Sequence, residues 1–204
     1  MKILLFSDIH QDLRALHKLM ATPADIYISA GDLATWSRGL DDCGRIMQPH
    51  GEKVWVLPGN HESAEQSARF CVAFGFRNFH HQAWRAGDYW IGGLGYSNPT
   101  PFNTPGEYTE EELAGKLDEF AKLSPLVLVC HAPPLGTDLD RIGSGRHGGS
   151  RSVKTFLERH APEYFFCGHI HECAGVETRL GRTRAVNLGK RGYLLELTNP
   201  LPRT

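Results

Sequence analysis

Along 204 residues, carboxylate, amide and imidazole groups recur in a fixed order in five short segments. These are Asp8-Ile9-His10, Gly31-Asp32, Gly59-Asn60-His61-Glu62, His131-Ala132-Pro133-Pro134 and Gly168-His169-Ile170-His171. Asp8 and His10 are two apart just past an apolar run, so either an irregular turn or a continuing strand lets both side chains aim at one point. Asp32 follows a glycine that permits a tight turn, and its two oxygens suit it to bridge a pair of cations. Asn60 adds a neutral amide oxygen. His131, His169 and His171 add imidazole nitrogens, which favour borderline first-row metals over calcium; manganese, iron and zinc are the expected ions, manganese first in vitro. Two such ions about 3.5 to 4 Å apart share a water, lower its pKa towards neutrality and hold phosphoryl oxygens in line for displacement. The expected chemistry is hydrolysis of a phosphate ester by hydroxide bridging two divalent or trivalent transition-metal ions.

Taken singly, each segment is weak. An Asp-x-His at a strand end is more often turn chemistry than a ligand pair, and alternate histidines at a strand end are often surface residues. The joint occurrence carries the reading, because every segment begins where an apolar run stops and the chain would gather them at a sheet edge.

The elements that must do the gathering are legible. Residues 1–7, 25–30 and 53–57 are short apolar runs suited to buried strands. Between them Asp12 can cap a helix carrying Leu13, Leu16, Leu19 and Met20, and residues 40–47 read as helical. Alternation of strand and helix implies parallel pairing with right-handed crossovers. Ser63 can cap a helix through Phe74. Residues 78–84 and 88–94 read as an antiparallel pair joined at Ala86-Gly87. Thr109 to Glu112 is a capping-box start for a helix to about Leu123, which Pro125 ends. Residues 126–130 form a buried strand delivering His131, Ser150 caps a helix to His160, and residues 163–167 are the next strand. Residues 175–180, 184–188 and 193–197 read as a closing meander. The expected fold class is α/β, with two packed, mixed sheets flanked by helices, in a single domain over residues 1–204.

Composition narrows the function. A formal net charge of -1 gives no whole-protein attraction to nucleic acid or to an anionic membrane, so affinity for phosphate must be local. Five cysteines without a C-x-x-C pair, mostly in apolar surroundings, read as reduced, packed thiols. The chain reaches Asp8 without room for a signal peptide and has no stretch of membrane-spanning length, so a cytoplasmic enzyme is expected, and the metal chemistry above gives it a phosphate-ester substrate. The meander edge near Tyr193 is a candidate surface for a homodimer.

With its Asp-x-His, Gly-Asp, Gly-Asn-His-Glu, lone His and Gly-His-x-His, the chain resembles the calcineurin-like metallophosphoesterase superfamily over nearly its whole length. The resemblance implies a four-layer α/β/β/α sandwich. It also implies one metal on Asp8, His10, Asp32 and His171 and a second on Asp32, Asn60, His131 and His169, with Asp32 as the bridge. His61, the histidine after the asparagine, is implied to stand beside the scissile phosphate, donating a proton to the leaving oxygen or stabilising charge there. Residues 131–136 and the Gly-His-Ile-His-Glu segment are further similar to the small phosphodiesterases of the superfamily, which implies activity on phosphodiesters, cyclic nucleotides included.

Other residues have weaker claims. Glu62 and Glu172 follow ligand segments and could hold imidazole N–H groups in the proper tautomer. The glycine-rich residues 143–150 precede a helix, whose N-terminus could receive a phosphate oxygen with Arg146 or His147 adding charge. Trp36 and Phe102 lie in loops that could border the site, although packing is their simpler expectation. Residues 96–109, rich in Pro, Thr and Asn, are the best candidate for a substrate-shaping loop. The rivals are a phosphomonoesterase or protein phosphatase, a nuclease, disfavoured by the absence of a basic stripe, and a non-catalytic interaction scaffold such as the related retromer subunit, disfavoured because every ligand and His61 is present.

Overall fold

A computed structural model describes residues 1–143 and 145–197. The first half of the chain alternates short apolar strands with capped helices. Strands β1 (Lys2–Phe6), β2 (Ile26–Ala30) and β3 (Val54–Leu57) are buried along nearly all their length and pair in parallel. Between them run α1 (Leu13–Met20) and α2 (Leu40–Met47), followed by α3 (Ala64–Phe74). Asp12 caps α1 by accepting from the Ala15 amide, and Ser63 and Gln66 form a capping box at α3. Strand β4 (Arg77–Asn78) extends this sheet beside β3, and β13 (Tyr193–Glu196) closes its other edge antiparallel to β1.

The second sheet has the order β11 (Glu177–Leu180), β12 (Thr183–Asn187), β10 (Tyr164–Cys167), β7 (Leu126–Cys130), β6 (Tyr89–Leu94), β5 (Gln82–Ala86). Helices α4 (Glu110–Asp118) and α5 (Arg151–His160) cover its outer face, and β8 (Arg141–Ile142) with β9 (Arg146–His147) forms a small separate ribbon.

Because side chains alternate along a strand, each strand serves two layers. Ile3 and Leu5 point between the sheets with Ile28, Leu57, Val129 and Phe166, whereas Leu4 and Phe6 pack outward against Leu16, Leu19 and Phe70. On the far side Leu128 and Phe165 meet Leu113, Leu117, Phe156 and Leu157 of α4 and α5. The result is the expected α/β/β/α sandwich of two mixed sheets. Among the described residues no helix is long and apolar enough to cross a membrane.

Three expectations are corrected. Residues 78–84 are not one strand: Asn78 ends β4 in the first sheet and Gln82 begins β5 in the second, with His81 at φ 58 where the chain crosses over. The closing meander likewise divides, β11 and β12 forming a hairpin in the second sheet while β13 joins the first. Alternation of apolar residues marks a strand but not its partner, and both segments split where burial between the sheets favours it. Finally, α4 stops at Asp118 rather than near Leu123. The chain continues through tighter bonds from Phe120 N to Leu117 O and from Leu123 N to Phe120 O, which bury the Phe120 ring against the space left by Gly92.

Candidate metal centre

The C-terminal ends of β1, β2, β3, β7 and β10 deliver the five segments, so the site spans the edges of both sheets rather than one. Asp8, His10, Asp32 and His169 all take left-handed backbone conformations, with φ of 54, 43, 55 and 70°. Such conformations cost of order 1 kcal/mol or more for residues with a Cβ, and persist where the surroundings fix them. Here the turn after β1 lies along the turn after β2, with Asp8 N bonding Gly31 O and His10 N bonding Asp32 O, both at 3.0 Å. Close approach also demands glycine: a Cβ on Gly59 would stand 2.0 Å from Asp32 Oδ1, and one on Gly31 would stand 2.5 Å from the Gly59 backbone.

The donor atoms converge in two groups that share Asp32. Asp8, His10, Asp32 and His171 form the first, with His10 Nε2 3.0 Å from His171 Nε2, His171 Nε2 3.5 Å from Asp8 Oδ1 and His10 Nε2 3.6 Å from Asp32 Oδ2. The second joins Asp32, His131 and His169, and the Asn60 amide oxygen lies among them, 3.2 Å from His131 Nε2 and 2.8 Å from His169 Nδ1. Ligands bound at about 2.1 Å to one ion stand roughly 3.0 to 3.4 Å apart; the observed separations bracket that range. His131 donates its Nδ1–H to Ala30 O at 2.8 Å. Nε2 is left facing two oxygens, Asp32 Oδ2 at 3.4 Å and Asn60 Oδ1, an arrangement suited to a cation, toward which a neutral ring would direct its lone pair.

Electrostatics agree. Burial opposes ionisation of Asp32, yet the charge and hydrogen bond of His131, then the charge of His10, hold its carboxyl well below the usual carboxylate range. Burial also acts against Asp8, where His171, His131 and Ser7 prevail and lower it. Without a metal the carboxylates draw a proton instead: burial lowers His131, but Asp32 overrides it and raises the imidazole to about 9. Burial and the neighbouring His131 charge push His169 down to about 4. The cluster demands positive charge and offers nitrogen and oxygen donors, so it fits a pair of first-row transition metals.

The remaining expected residues divide. His61 lines the cleft over the cluster, its ring 5.2 Å from that of His10 and its Nδ1 accepting from Trp36 N at 3.4 Å. Arg146 and His147 line the same cleft, and His147 Nδ1 is held by Asp140 Oδ1 at 2.7 Å. Ser144, within the glycine-rich segment, lies outside the described residues. The α5 N-terminus does not face a phosphate: Glu110 already fills it, accepting from Arg151 N, Ser152 N and the Ser150 hydroxyl. Glu62 holds no imidazole. Buried, it accepts from the amides of Asp32, Ala34 and Gly59 at 3.1, 3.0 and 2.9 Å and so ties two ligand loops together. Burial and the Asp32 charge push its carboxyl up to about 8 against those donors. Glu172 is exposed on the cleft rim and bonds no imidazole among the described residues. Trp36 and Phe102 are not packed either, being 46% and 74% exposed.

Some supporting residues escape a reading of spacing. Thr35 Oγ1 lies 2.9 Å from His10 Nδ1. Asn187, fully buried, donates to the carbonyls of Leu139, Gly168 and Ile170 and so pins the turn carrying His169 and His171. Thr104 accepts from Asn60 Nδ2 at 3.1 Å. Asn187 ends an apolar strand as the ligand segments do, and that position was its one available signal; Thr104 lies in the 96–109 segment, singled out only as a whole, and Thr35 opens a short 3-10 turn with no signal of its own.

Comparison with known proteins meets this geometry. Over 201 residues the chain is 31% identical to Uncharacterized protein MJ1162 of Methanocaldococcus jannaschii, covering 96% of this chain and 91% of that one. Its fold is similar to that of TT1561 of Thermus thermophilus, with a TM-score of 0.69 at 18% identity over 93% of this chain and 90% of the other. It is also similar to that of the phosphopantetheinyl hydrolase PptH of Mycobacterium tuberculosis, with a TM-score of 0.69 at 18% identity over 92% and 88%. The profile of the calcineurin-like phosphoesterases matches residues 1–173, a span that takes in all five donor segments, and the chain belongs to that family.

Proposed function

We propose that the protein hydrolyses phosphodiester bonds of a small substrate, a cyclic nucleotide being one candidate. The reading rests on one observation above all: two groups of donors share Asp32 at the floor of a cleft of about 660 Å³. Asp8, His10, Asp32 and His171 would hold one cation, and Asp32, Asn60, His131 and His169 the other. Bound there, manganese, iron or zinc ions would supply Lewis acidity and a water acidic enough to ionise near neutral pH.

The chain's own groups do the rest. Because His61 Nδ1 accepts the Trp36 N–H, a neutral ring carries its proton on Nε2, available to the leaving oxygen. Arg146, on the cleft wall without an ion-pair partner among the described residues, supplies a charged fork for a phosphate oxygen. Beyond the donors the cleft continues along Pro99, Phe102, Ile142 and Ile170. Those walls suit the second ester arm of a diester, which a phosphomonoester lacks. The five free, buried cysteines support action in a reducing compartment such as the cytoplasm.

The test is a panel of cyclic nucleotides, linear diesters, monoesters and phosphoproteins, each assayed with manganese, iron and zinc. The expected result is the highest kcat/KM on a diester, abolished by chelation and restored by metal. Higher kcat/KM on monoesters would replace this reading with that of a phosphatase, and a metal-free protein with no turnover would favour a scaffold.

A further inference from the structure

The segment from Tyr96 to Tyr108 lies as a strap across the Asn60 turn. Tyr96 N bonds Pro58 O at 3.0 Å, Gly106 N bonds Asn60 O at 2.9 Å and Ser97 N bonds Gly106 O at 3.0 Å. Within the strap a single carboxylate, Glu107, collects four donors. Its Oε2 accepts from Thr100 N at 3.1 Å; its Oε1 accepts from the Thr100 hydroxyl at 2.6 Å, from Thr104 N at 2.8 Å and from the Thr104 hydroxyl. That Thr104 hydroxyl in turn accepts from Asn60 Nδ2. Asn60 and Thr104 are both buried.

We propose that Glu107, acting through Thr104, is a positioning residue that keeps the amide oxygen of Asn60, rather than its nitrogen, turned toward the second cation site. The inference rests on the two-cation reading above.

The argument is one of proton direction. An ionised carboxylate can only accept, and a hydroxyl has one proton to give. Once that proton goes to Glu107, the Thr104 oxygen can offer Asn60 only lone pairs, so the amide must turn its NH2 to Thr104 and its oxygen to His131 and His169. Remove the carboxylate and the hydroxyl is free to rotate and donate to the Asn60 oxygen. The flipped amide would then point its NH2 at His131 Nε2 and His169 Nδ1, which stand 3.2 and 2.8 Å from the present oxygen position and accept such bonds when neutral. Opposite neutral imidazoles, the form that metal ligands take, a flipped amide satisfies every neighbour and offers a cation no lone pair. Buried networks of this kind have high stakes because water cannot substitute for the missing partner.

The test compares metal retention in the wild type, Glu107→Leu, Thr104→Val and Thr104→Ser, each loaded with manganese or zinc and titrated with a chelator. Leucine is chosen at 107 because glutamine would keep an oxygen able to take the Thr104 proton. Metal content is read by elemental analysis. Glu107→Leu and Thr104→Val should release one of two equivalents at about 10- to 100-fold lower chelator concentration, the range usual for groups that orient a ligand. The other equivalent should leave as in the wild type, and Thr104→Ser should retain both. Selective loss of one equivalent separates orientation of Asn60 from general loosening, which would release both. Wild-type retention by Glu107→Leu and Thr104→Val, or joint loss of both equivalents, overturns the role of Glu107. A wild-type chain that takes up fewer than two equivalents instead overturns the two-cation reading itself. Should Glu107→Leu fail to fold, the Val and Ser variants at Thr104 decide the matter.

Discussion

The Nε2 atoms of His10 and His171 face each other across 3.0 Å, although 161 positions separate the two residues in the chain. His10 turns its other ring nitrogen to Thr35 Oγ1, and the carboxylates of Asp8 and Asp32 complete the surroundings of the facing pair. Two lone pairs brought this close repel, so the pair needs either a ring N–H of one imidazole directed at the other or a metal ion between them. The fold has therefore assembled a place whose stability depends on what occupies it.

Metal removal should show this directly. The chelated protein is expected to melt at lower temperature than the reconstituted one, because a ligand held only by the folded state adds about 2.7 kcal/mol per site at a free concentration of 100 times Kd. Scanning calorimetry across a series of manganese or zinc concentrations measures it. A melting temperature indifferent to metal would contradict the proposed centre.

Gly59 is expected to tolerate no side chain. Its alanine variant would place a methyl group 2.0 Å from Asp32 Oδ1 and 2.6 Å from the Asp32 amide, neither of which has room to retreat. Forced overpacking of this kind costs about 1 to 3 kcal/mol. Urea unfolding should register the loss, together with fewer bound metal equivalents.

Replacing His61 with alanine should separate binding from turnover. The residue belongs to neither donor group, so the metal complement is expected to stay at the wild-type value. The turnover number on bis-p-nitrophenyl phosphate should fall by about 10²- to 10⁴-fold, the range for loss of a proton-transferring side chain. Unchanged turnover would remove His61 from the reaction.

Glu110 links stability to pH. Burial acts to raise its carboxyl, but the Ser152 amide and the Ser150 and Ser152 side chains outweigh burial and hold it below the ordinary value. A carboxyl whose folded pKa is depressed contributes stability that is present above its unfolded pKa, near 4.3, and lost as pH falls through the folded value. Glu110→Gln should accordingly be less stable than the wild type by about 1 kcal/mol near neutrality, a figure kept small by partial exposure. The gap should close in acid, as chemical denaturation at stepped pH would reveal; a gap independent of pH would refute the linkage.

Residue types and local pattern alone picked out the seven side chains that meet at the candidate metal centre, the strand ends that carry them and the caps at Asp12, Ser63, Thr109 and Ser150. All of these depend on neighbours within a few positions: an apolar run sets a strand, and a hydroxyl or carboxylate three residues before an orphan amide sets a helix start. Tertiary structure alone decided that Asn78 and Gln82 belong to different sheets, that β13 returns to β1, and that Glu62 serves backbone amides instead of imidazoles. It likewise decided that Glu110 rather than a phosphate caps α5 and that Glu107 reaches Asn60 through Thr104. Those outcomes turn on which groups meet after the two sheets pack, and a buried carboxylate takes whatever donors the packing brings within reach, however far away they lie in the chain.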